Sequence, residues 1–231
     1  GEIIAKYKDT LPERWLLIGH GDYLSGIRTP NPYEPGIYMP LSRTDVEYYK
    51  PTKVILGHIH KKMELGRVYY VGSPCGLDIN ERGKRSFFII DTKNLEITTE
   101  IVDTDYIFFN EILVALPTLS EFDYIKNKIK EMIKKWEISE SDVPKVRVRL
   151  KVKGYTSNKS KLQNIIKESF ADFTFYNDEK PDLSKVSIFN DPERIRIVEK
   201  AKEEIERLGW NDGITEKEDI LEKTLHIILK E

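Results

Sequence analysis

The chain has 231 residues, of which 39% are hydrophobic and 33% charged. This balance excludes a disordered polymer and favours one large globular domain or two small ones. The net charge of -2 excludes a uniformly basic nucleic-acid-binding protein, so affinity for a phosphate backbone would need a local patch or a metal. The single cysteine, Cys75, excludes an internal disulfide. The absence of an apolar run of about 20 residues or a signal-peptide pattern predicts a cytoplasmic protein with no membrane partner.

The first region, residues 1–104, opens on a predicted helix and then alternates short strands with turn-rich loops. The longest loop candidate is GIRTPNPYEPG. The predicted strands are RWLLIG, KVILG, RVYYVG, RSFFIID and EITTEIVD.

The second region, residues 105–186, follows the order strand, helix, strand, helix, strand, which predicts a small α/β domain. Its strands are EILVALP, KVRVRLKVK and FADFTFY. The first helix, SEFDYIKNKIKEMIKKW, has an apolar face formed by Phe122, Ile125, Ile129, Met132, Ile133 and Trp136. The second begins near Asn158 and has a buried side formed by Leu162, Ile165, Ile166 and Phe170.

The last region, residues 187–231, follows the polar linker NDEKPDLS and is predicted to be helical. Asp191 before Pro192 marks a helix start, Gly209 a stop, and Thr215 with Glu218 a capping box that opens a final helix. The apolar residues of these helices either pack on the neighbouring domain, which we favour, or form a helix pair for a partner. They are Ile195, Val198, Ala201, Ile205, Leu208, Ile220, Leu221, Leu225 and Ile228.

Three of the four histidines lie in two Gly-His contexts, IGHGD at 18–22 and LGHIH at 56–60. Residues i and i+2 of an extended segment point to the same side, roughly 6 to 7 Å apart, which suits ligands of two adjacent ions. A lone histidine at a strand end is more often a hydrogen-bonded structural residue, but the set of three favours metal ligands. The candidates are His20, His58 and His60, whereas His226 lies in a charged amphipathic helix and is not a candidate.

IGHGD, VILGHIH, VYYVGSP and ERGKRSFFIID resemble the later motifs of calcineurin-like metallophosphoesterases, specifically the SbcD/Mre-type DNA repair exonucleases. The resemblance covers about residues 14–91 and implies an α+β fold. Its parts would be the C-terminal half of a metallophosphoesterase β-sandwich, a small α/β capping domain and C-terminal helices that dock on an SbcC/Rad-type ATPase. It also implies that His20 and His58 bind one manganese ion (Mn2+) and His60 a second.

The sequence lacks the early Asp-x-His, Gly-Asp and Gly-Asn-His motifs of that family. Asp22 cannot replace the bridging aspartate, because it lies beside a ligand histidine and not on a separate strand. The chain therefore resembles a nuclease without its first half, with the remaining ligands upstream of Gly1. Since a catalytic ion needs at least about three protein ligands, we expect this chain alone to bind Mn2+ weakly or not at all and to lack phosphodiesterase activity.

The strand KVRVRLKVK places five cations on one face: Lys145, Arg147, Arg149, Lys151 and Lys153. The face could be a track for the DNA backbone. It could equally be a solvated sheet face, or a set of lysines that guards an edge strand against aggregation. Secondary candidates for DNA contact flank the histidine and GSP motifs, with ordinary loop charge as the alternative: Lys61, Lys62, Arg82, Lys84 and Arg85.

These patterns favour part of a two-metal DNA repair nuclease, inactive as this chain alone. A non-catalytic module that docks on DNA or an ATPase is the alternative. A phosphoesterase of small molecules is less favoured, and homodimerisation stays open.

Overall fold

Alternating apolar residues form strands in two separate groups, divided at Tyr106. The computed structural model describes residues 2–24, 37–208 and 217–229, and of residues 217 and 218 the backbone only. The chain separates into two units, Gly1–Tyr106 and Ile107–Glu231. Helices and several sheets occur together, which confirms the mixed α+β class. The predicted helical segment 187–231 falls within the second unit. Among the described residues, no helix has the length and apolarity needed to cross a membrane.

The first unit contains two short α-helices, one 3-10 turn at Lys8–Thr10 and eight strands in its described part. The helices are α1 (Glu2–Ala5) and α2 (Arg43–Tyr49). The strands are β1 (Leu16–His20), β2 (Tyr23–Leu24), β3 (Leu41–Ser42), β4 (Lys53–Gly57), β5 (Met63–Leu65), β6 (Val68–Tyr70), β7 (Ser86–Ile90) and β8 (Ile97–Ile101).

The main sheet of this unit has the order β1-β4-β6-β5, in which β1, β4 and β6 run parallel and β5 is antiparallel to β6. β2 and β3 form a parallel pair, and β7 and β8 an antiparallel one. One face of the main sheet is the core, because the side chains that alternate inward are apolar. The buried members of this core are Leu41, Val46, Val54, Leu56, Val68 and Tyr70.

The second unit contains four helices and four strands in its described part, with 3-10 turns at Glu140–Lys145 and Tyr176–Asp178. The strands are β9 (Ile107–Ala115), β10 (Val146–Thr156), β11 (Thr174–Phe175) and β12 (Asp182–Ile188). The helices are α3 (Glu121–Lys134), α4 (Lys159–Ser169), α5 (Pro192–Arg207) and α6 (Lys217–Leu229).

β10 is the central strand of a parallel sheet. β9 pairs along one edge, while β11 and β12 pair with successive parts of the other. α3 and α4 connect parallel strands, as βαβ units require. The predicted apolar helix faces are confirmed: Ile125, Ile129, Leu162 and Ile166 are fully buried in the core that these helices share with β10.

The C-terminal helices pack against the end of β9, which confirms the favoured interpretation for several of their apolar residues but not for Leu208, which is exposed. Val198 of α5 and Leu225 and Leu229 of α6 are buried with Val114 and Leu116. The predicted helix start is also confirmed, since Asp191 Oδ1 accepts hydrogen bonds from the first-turn backbone.

Two elements differ from the prediction. Residues 43–49 form α2 where loops and strands were expected, and Ser42 and Asp45 make a complete capping box at its start. β12 lies in a segment that was assigned in part to a polar linker, whereas FADFTFY supplies only the two-residue strand β11. The buried residues Leu183 and Val186 explain β12, because they join the core on the β10 sheet. The GIRTPNPYEPG loop, Gly209 and Thr215 lie outside the described residues.

Candidate functional site

The register of β1 and β4 brings His20 and His58 together. His20 is paired with Gly57, and His58 follows at once, because adjacent parallel strands end at the same edge. The two imidazole centroids are 5.5 Å apart, in an edge-to-face arrangement. A Cβ on Gly57 would lie 2.7 Å from His20 Nδ1. Gly57 is therefore needed to make room for the His20 ring.

His58 occupies a strained backbone position, with φ of +91°. Non-glycine residues at positive φ cost about 1–3 kcal/mol and cluster at functional sites. The side chain is only 7% exposed, and its Nε2 lies 3.7 Å from Asp22 Oδ1. The other Asp22 oxygen accepts a 2.7 Å hydrogen bond from the backbone N–H of Tyr38, whose ring stacks on His58. Asp22 and Tyr38 thus fix where the His58 ring lies.

The backbone that follows His20 is held by Tyr70, which is fully buried. Its hydroxyl donates to the Gly21 carbonyl at 2.9 Å and accepts from the Tyr23 N–H at 2.6 Å. Burial raises the pKa of this phenol, so it stays a neutral donor at ordinary pH. Tyr70 therefore connects the backbone after β1 to the β6 strand.

His60 has a different support from that pair. Its ring is 52% exposed, and its Nδ1 is 2.6 Å from Glu81 Oε1. The second Glu81 oxygen accepts from the Ser73 hydroxyl at 2.8 Å and from the Leu77 N–H at 3.2 Å. Burial alone would raise the pKa of Glu81, but the hydrogen bonds from His60, Ser73 and Leu77 lower it below the ordinary value. Glu81 is therefore an ionised acceptor.

Arg85 is a buried member of this network. Its guanidinium is 9% exposed, donates to the His60 carbonyl at 2.7 Å and lies 3.2 Å from Glu81 Oε2. It also donates to the hydroxyl and the carbonyl of Ser73. Gly72 has φ of +81°, and a Cβ there would lie 3.0 Å from the His60 carbonyl. The GSP loop and Arg85 together hold the His60 backbone.

Arg85 was predicted to contact DNA, and the structure places it elsewhere. A guanidinium that is buried under the His60 loop and engaged with Glu81 and Ser73 cannot also reach a phosphate backbone. Lys61 and Arg82 are exposed near the site. Lys62 donates to Thr99 at 3.0 Å, and Lys84 is half-buried.

The cationic face of β10 forms as predicted, with Val146, Val148, Leu150 and Val152 buried on the opposite side. β10 is paired on both edges, which excludes the edge-guarding interpretation. Lys145 ends the 3-10 turn before the strand, and Lys151 is exposed.

Acidic side chains and backbone carbonyls of the second unit contact cations on this face. Arg149 forms two 2.8 Å hydrogen bonds with Glu179, and Lys153 Nζ lies 3.1 Å from Glu222. Arg147 donates to the Pro144 and Val146 carbonyls. Internal carboxylates therefore offset part of the positive charge.

The donor chemistry of the histidines suits a metal such as Mn2+, and His60 has the oriented carboxylate that metal-bound histidines usually have. The number of donors is too small for a complete metal site. Among the described residues, no three His, Cys, Asp or Glu side chains converge closely enough to hold an ion. A complete coordination sphere would need ligands beyond these.

Sequence reasoning missed Glu81, Tyr38 and Tyr70 as parts of the site. A signal existed for Glu81, since an acidic residue beside Arg82 and Gly83 follows the GSP loop. Tyr38 and Tyr70 carry no such signal, because only the folded backbone brings Tyr38 to the histidine rings and Tyr70 to the backbone after β1. Compared with known proteins, the chain matches no family model and has no significant match among curated proteins.

Proposed function

We propose that the chain is the histidine-bearing part of a metal-dependent DNA phosphodiesterase, similar to the calcineurin-like SbcD/Mre-type exonucleases. The observation that carries the proposal is the juxtaposition of two Gly-His strand ends, with the His20 and His58 rings 5.5 Å apart. Histidines at the ends of adjacent parallel strands suit a site at the edge of a sheet.

The edge position of β1 supports the idea that the sheet belongs to a larger one. Within the described residues β1 pairs only with β4, and Ile18 at its centre is 70% exposed. Parallel strands are normally covered on both faces. Further strands beside β1, together with the layer that covers such a sheet, would bury Ile18 and could bring additional ligands to His20.

The roles of this chain's residues follow from their placement. His20 and His58 would provide nitrogen donors at one position, and His60 at another. Lys61 and Arg82 beside the histidines, and Lys151 on β10, are cations that could contact a phosphate backbone. We also propose a cytoplasmic location, which the exposed free thiol of Cys75 supports.

Paramagnetic broadening tests the metal proposal directly, because it detects even the weak Mn2+ binding that is the most we expect of this chain alone. We expect Mn2+, added to chain labelled with 15N-histidine, to broaden the signals of His20, His58 and His60 before that of His226, which is exposed on α6. His58→Ala should reduce the broadening of His20, whereas the matched control His226→Ala should not. Equal broadening of all four histidines would show only non-specific binding and would refute the proposal.

Activity requires a separate test in a protein that contains this chain together with the remaining ligands. There, His58→Ala should abolish Mn2+-dependent DNA hydrolysis and His226→Ala should leave it unchanged. We expect the 231-residue chain alone to show no hydrolysis; turnover by it would contradict the ligand count.

A docking module is the second candidate function. Ile197 on α5 and Ile227 on α6 are large apolar side chains that remain exposed. They could contact a partner such as an SbcC/Rad-type ATPase or a second copy of the chain. Loss of partner binding in Ile227→Asp, with metal broadening at the histidines absent, would favour this function over the nuclease.

A further inference from the structure

The contacts of Glu81 determine which nitrogen of His60 carries a proton. Glu81 Oε1 lies 2.6 Å from His60 Nδ1, while Glu81 Oε2 faces the Ser73 hydroxyl, the Leu77 N–H and the Arg85 guanidinium. The last two of these groups can only donate. Oε2 is therefore an acceptor. Because the Arg85 guanidinium forms an ion pair with Glu81, the carboxylate is ionised, so Oε1 is an acceptor as well and the proton in the short contact belongs to His60 Nδ1.

We infer that Glu81 is a positioning residue that holds neutral His60 as the Nδ1–H tautomer and leaves Nε2 as an unprotonated donor atom for a divalent cation. The tautomer follows from the hydrogen bonds of Glu81 and its ion pair with Arg85, and its use as a ligand rests on the proposed function. The ring is 52% exposed, and among the described residues Nε2 has no hydrogen-bond partner. An exposed imidazole without such a carboxylate prefers the opposite tautomer.

Burial makes Glu81 a fixed support and not a mobile surface charge. Its side chain is 13% exposed, and the guanidinium beneath it is 9% exposed. Arg85 contacts both Glu81 and the His60 carbonyl. Its side chain therefore fixes the partner of the His60 ring and the His60 backbone at once. Carboxylates in this relation to a histidine fix its orientation and raise its basicity as a ligand.

An isosteric substitution tests the inference sharply. In Glu81→Gln, the donors Leu77 N–H and Arg85 select the amide oxygen for the Oε2 position. The amide NH2 group then faces His60 Nδ1, which must accept. Glutamine has the same shape as glutamate, yet it should therefore invert the His60 tautomer to Nε2–H. In Glu81→Ala the ring loses its partner and should also become mainly Nε2–H.

Long-range 1H–15N correlation spectra of the metal-free chain distinguish the two tautomers for each histidine. The spectra are recorded at about pH 8.5, roughly two units above the ordinary pKa of an imidazole. We expect Nδ1–H for His60 in the natural chain and Nε2–H in Glu81→Gln. Exposed Glu100 on β8 provides the matched control Glu100→Gln, which should leave the His60 signals unchanged. His226 is an internal reference, whose signals should be the same in every variant.

Either of two results would overturn the inference. The first is an Nε2–H tautomer for His60 in the natural chain, and the second is an Nδ1–H tautomer retained in Glu81→Gln. In the same samples, Glu81→Gln should raise the Mn2+ concentration that broadens His60 about 10- to 100-fold. If His60 is Nδ1–H and inverts as expected but no histidine is broadened by Mn2+, the tautomer assignment is supported and the proposed metal function fails.

Discussion

Replacing Gly57 by alanine should separate the two histidines while leaving the fold intact. The new Cβ would stand 2.7 Å from His20 Nδ1, so the His20 ring must move. His20 is exposed and can rotate outward at a cost of about 0.5–1.5 kcal/mol for an unfavourable side-chain rotamer. Glycine within a strand is less stable than alanine by roughly 0.5–1 kcal/mol, which offsets that cost. The free energy of unfolding should therefore change by less than about 1 kcal/mol.

Two measurements check this expectation. Urea denaturation gives the change in the free energy of unfolding, and nuclear Overhauser contacts between the His20 and His58 rings report their 5.5 Å separation. The contacts should vanish in Gly57→Ala. They should persist in the control Gly19→Ala, whose Cβ would meet Leu56 and not a histidine. Retained ring contacts in Gly57→Ala, or a destabilisation above about 3 kcal/mol, would refute the explanation of why glycine is required.

Three further predictions concern the second unit. A double-mutant cycle on Arg149 and Glu179, which are both partly exposed, should give a coupling of about 0.5–1 kcal/mol at pH 7. Hydrogen bonds from Arg149 lower the Glu179 pKa, so this stabilisation is present above the ordinary value of 4.5 and is lost as pH falls through the lowered pKa. Ile129→Ala should cost about 2–5 kcal/mol in urea denaturation and Ile197→Ala less than about 0.5, since their exposures are 0% and 52%. Lys151→Glu should weaken DNA binding and reduce its salt dependence; an unchanged affinity and salt slope would remove β10 from the DNA-binding surface.

Strand and helix periodicity was sufficient for most of the second unit because its sheet is covered by amphipathic helices. The alternation of Val148 and Leu150 with cations marks β10, and Ile125 and Ile129 mark the inner face of α3. Pairing order could not be obtained in this way. Both the central place of β10 and the continuation of β11 by β12 on one edge depend on contacts between residues distant in sequence.

The short elements were the weaker part of the prediction, for an identifiable reason. α2 has only seven residues, too few for apolar periodicity to be distinctive. Its start was nevertheless encoded, because Ser42 and Asp45 have the spacing of a capping box. β12 was obscured by the polar residues before it, although Leu183 and Val186 both enter the core.

The candidate site was predictable in its histidines and not in their supports. A Gly-His pair is visible in the sequence, whereas the partners come from chain segments whose proximity only the fold creates. Glu81 is 21 residues from His60, and Tyr38 is 16 residues from Asp22, whose carboxylate fixes it. The contact between Gly57 and the His20 ring also depends on the pairing of two strands and is not visible in the sequence.

The three histidines are held by independent means, which makes their contributions separable. His20 depends on strand register and on the space above Gly57. His58 depends on a strained backbone and a stacked tyrosine, and His60 on a buried carboxylate fixed by Arg85. Because neither the Glu81 network nor the Gly57 contact includes the other's histidine, substitutions at these two positions should act additively. A loss of metal binding in Glu81→Gln with the His20–His58 contact intact would therefore assign that loss to the His60 position alone.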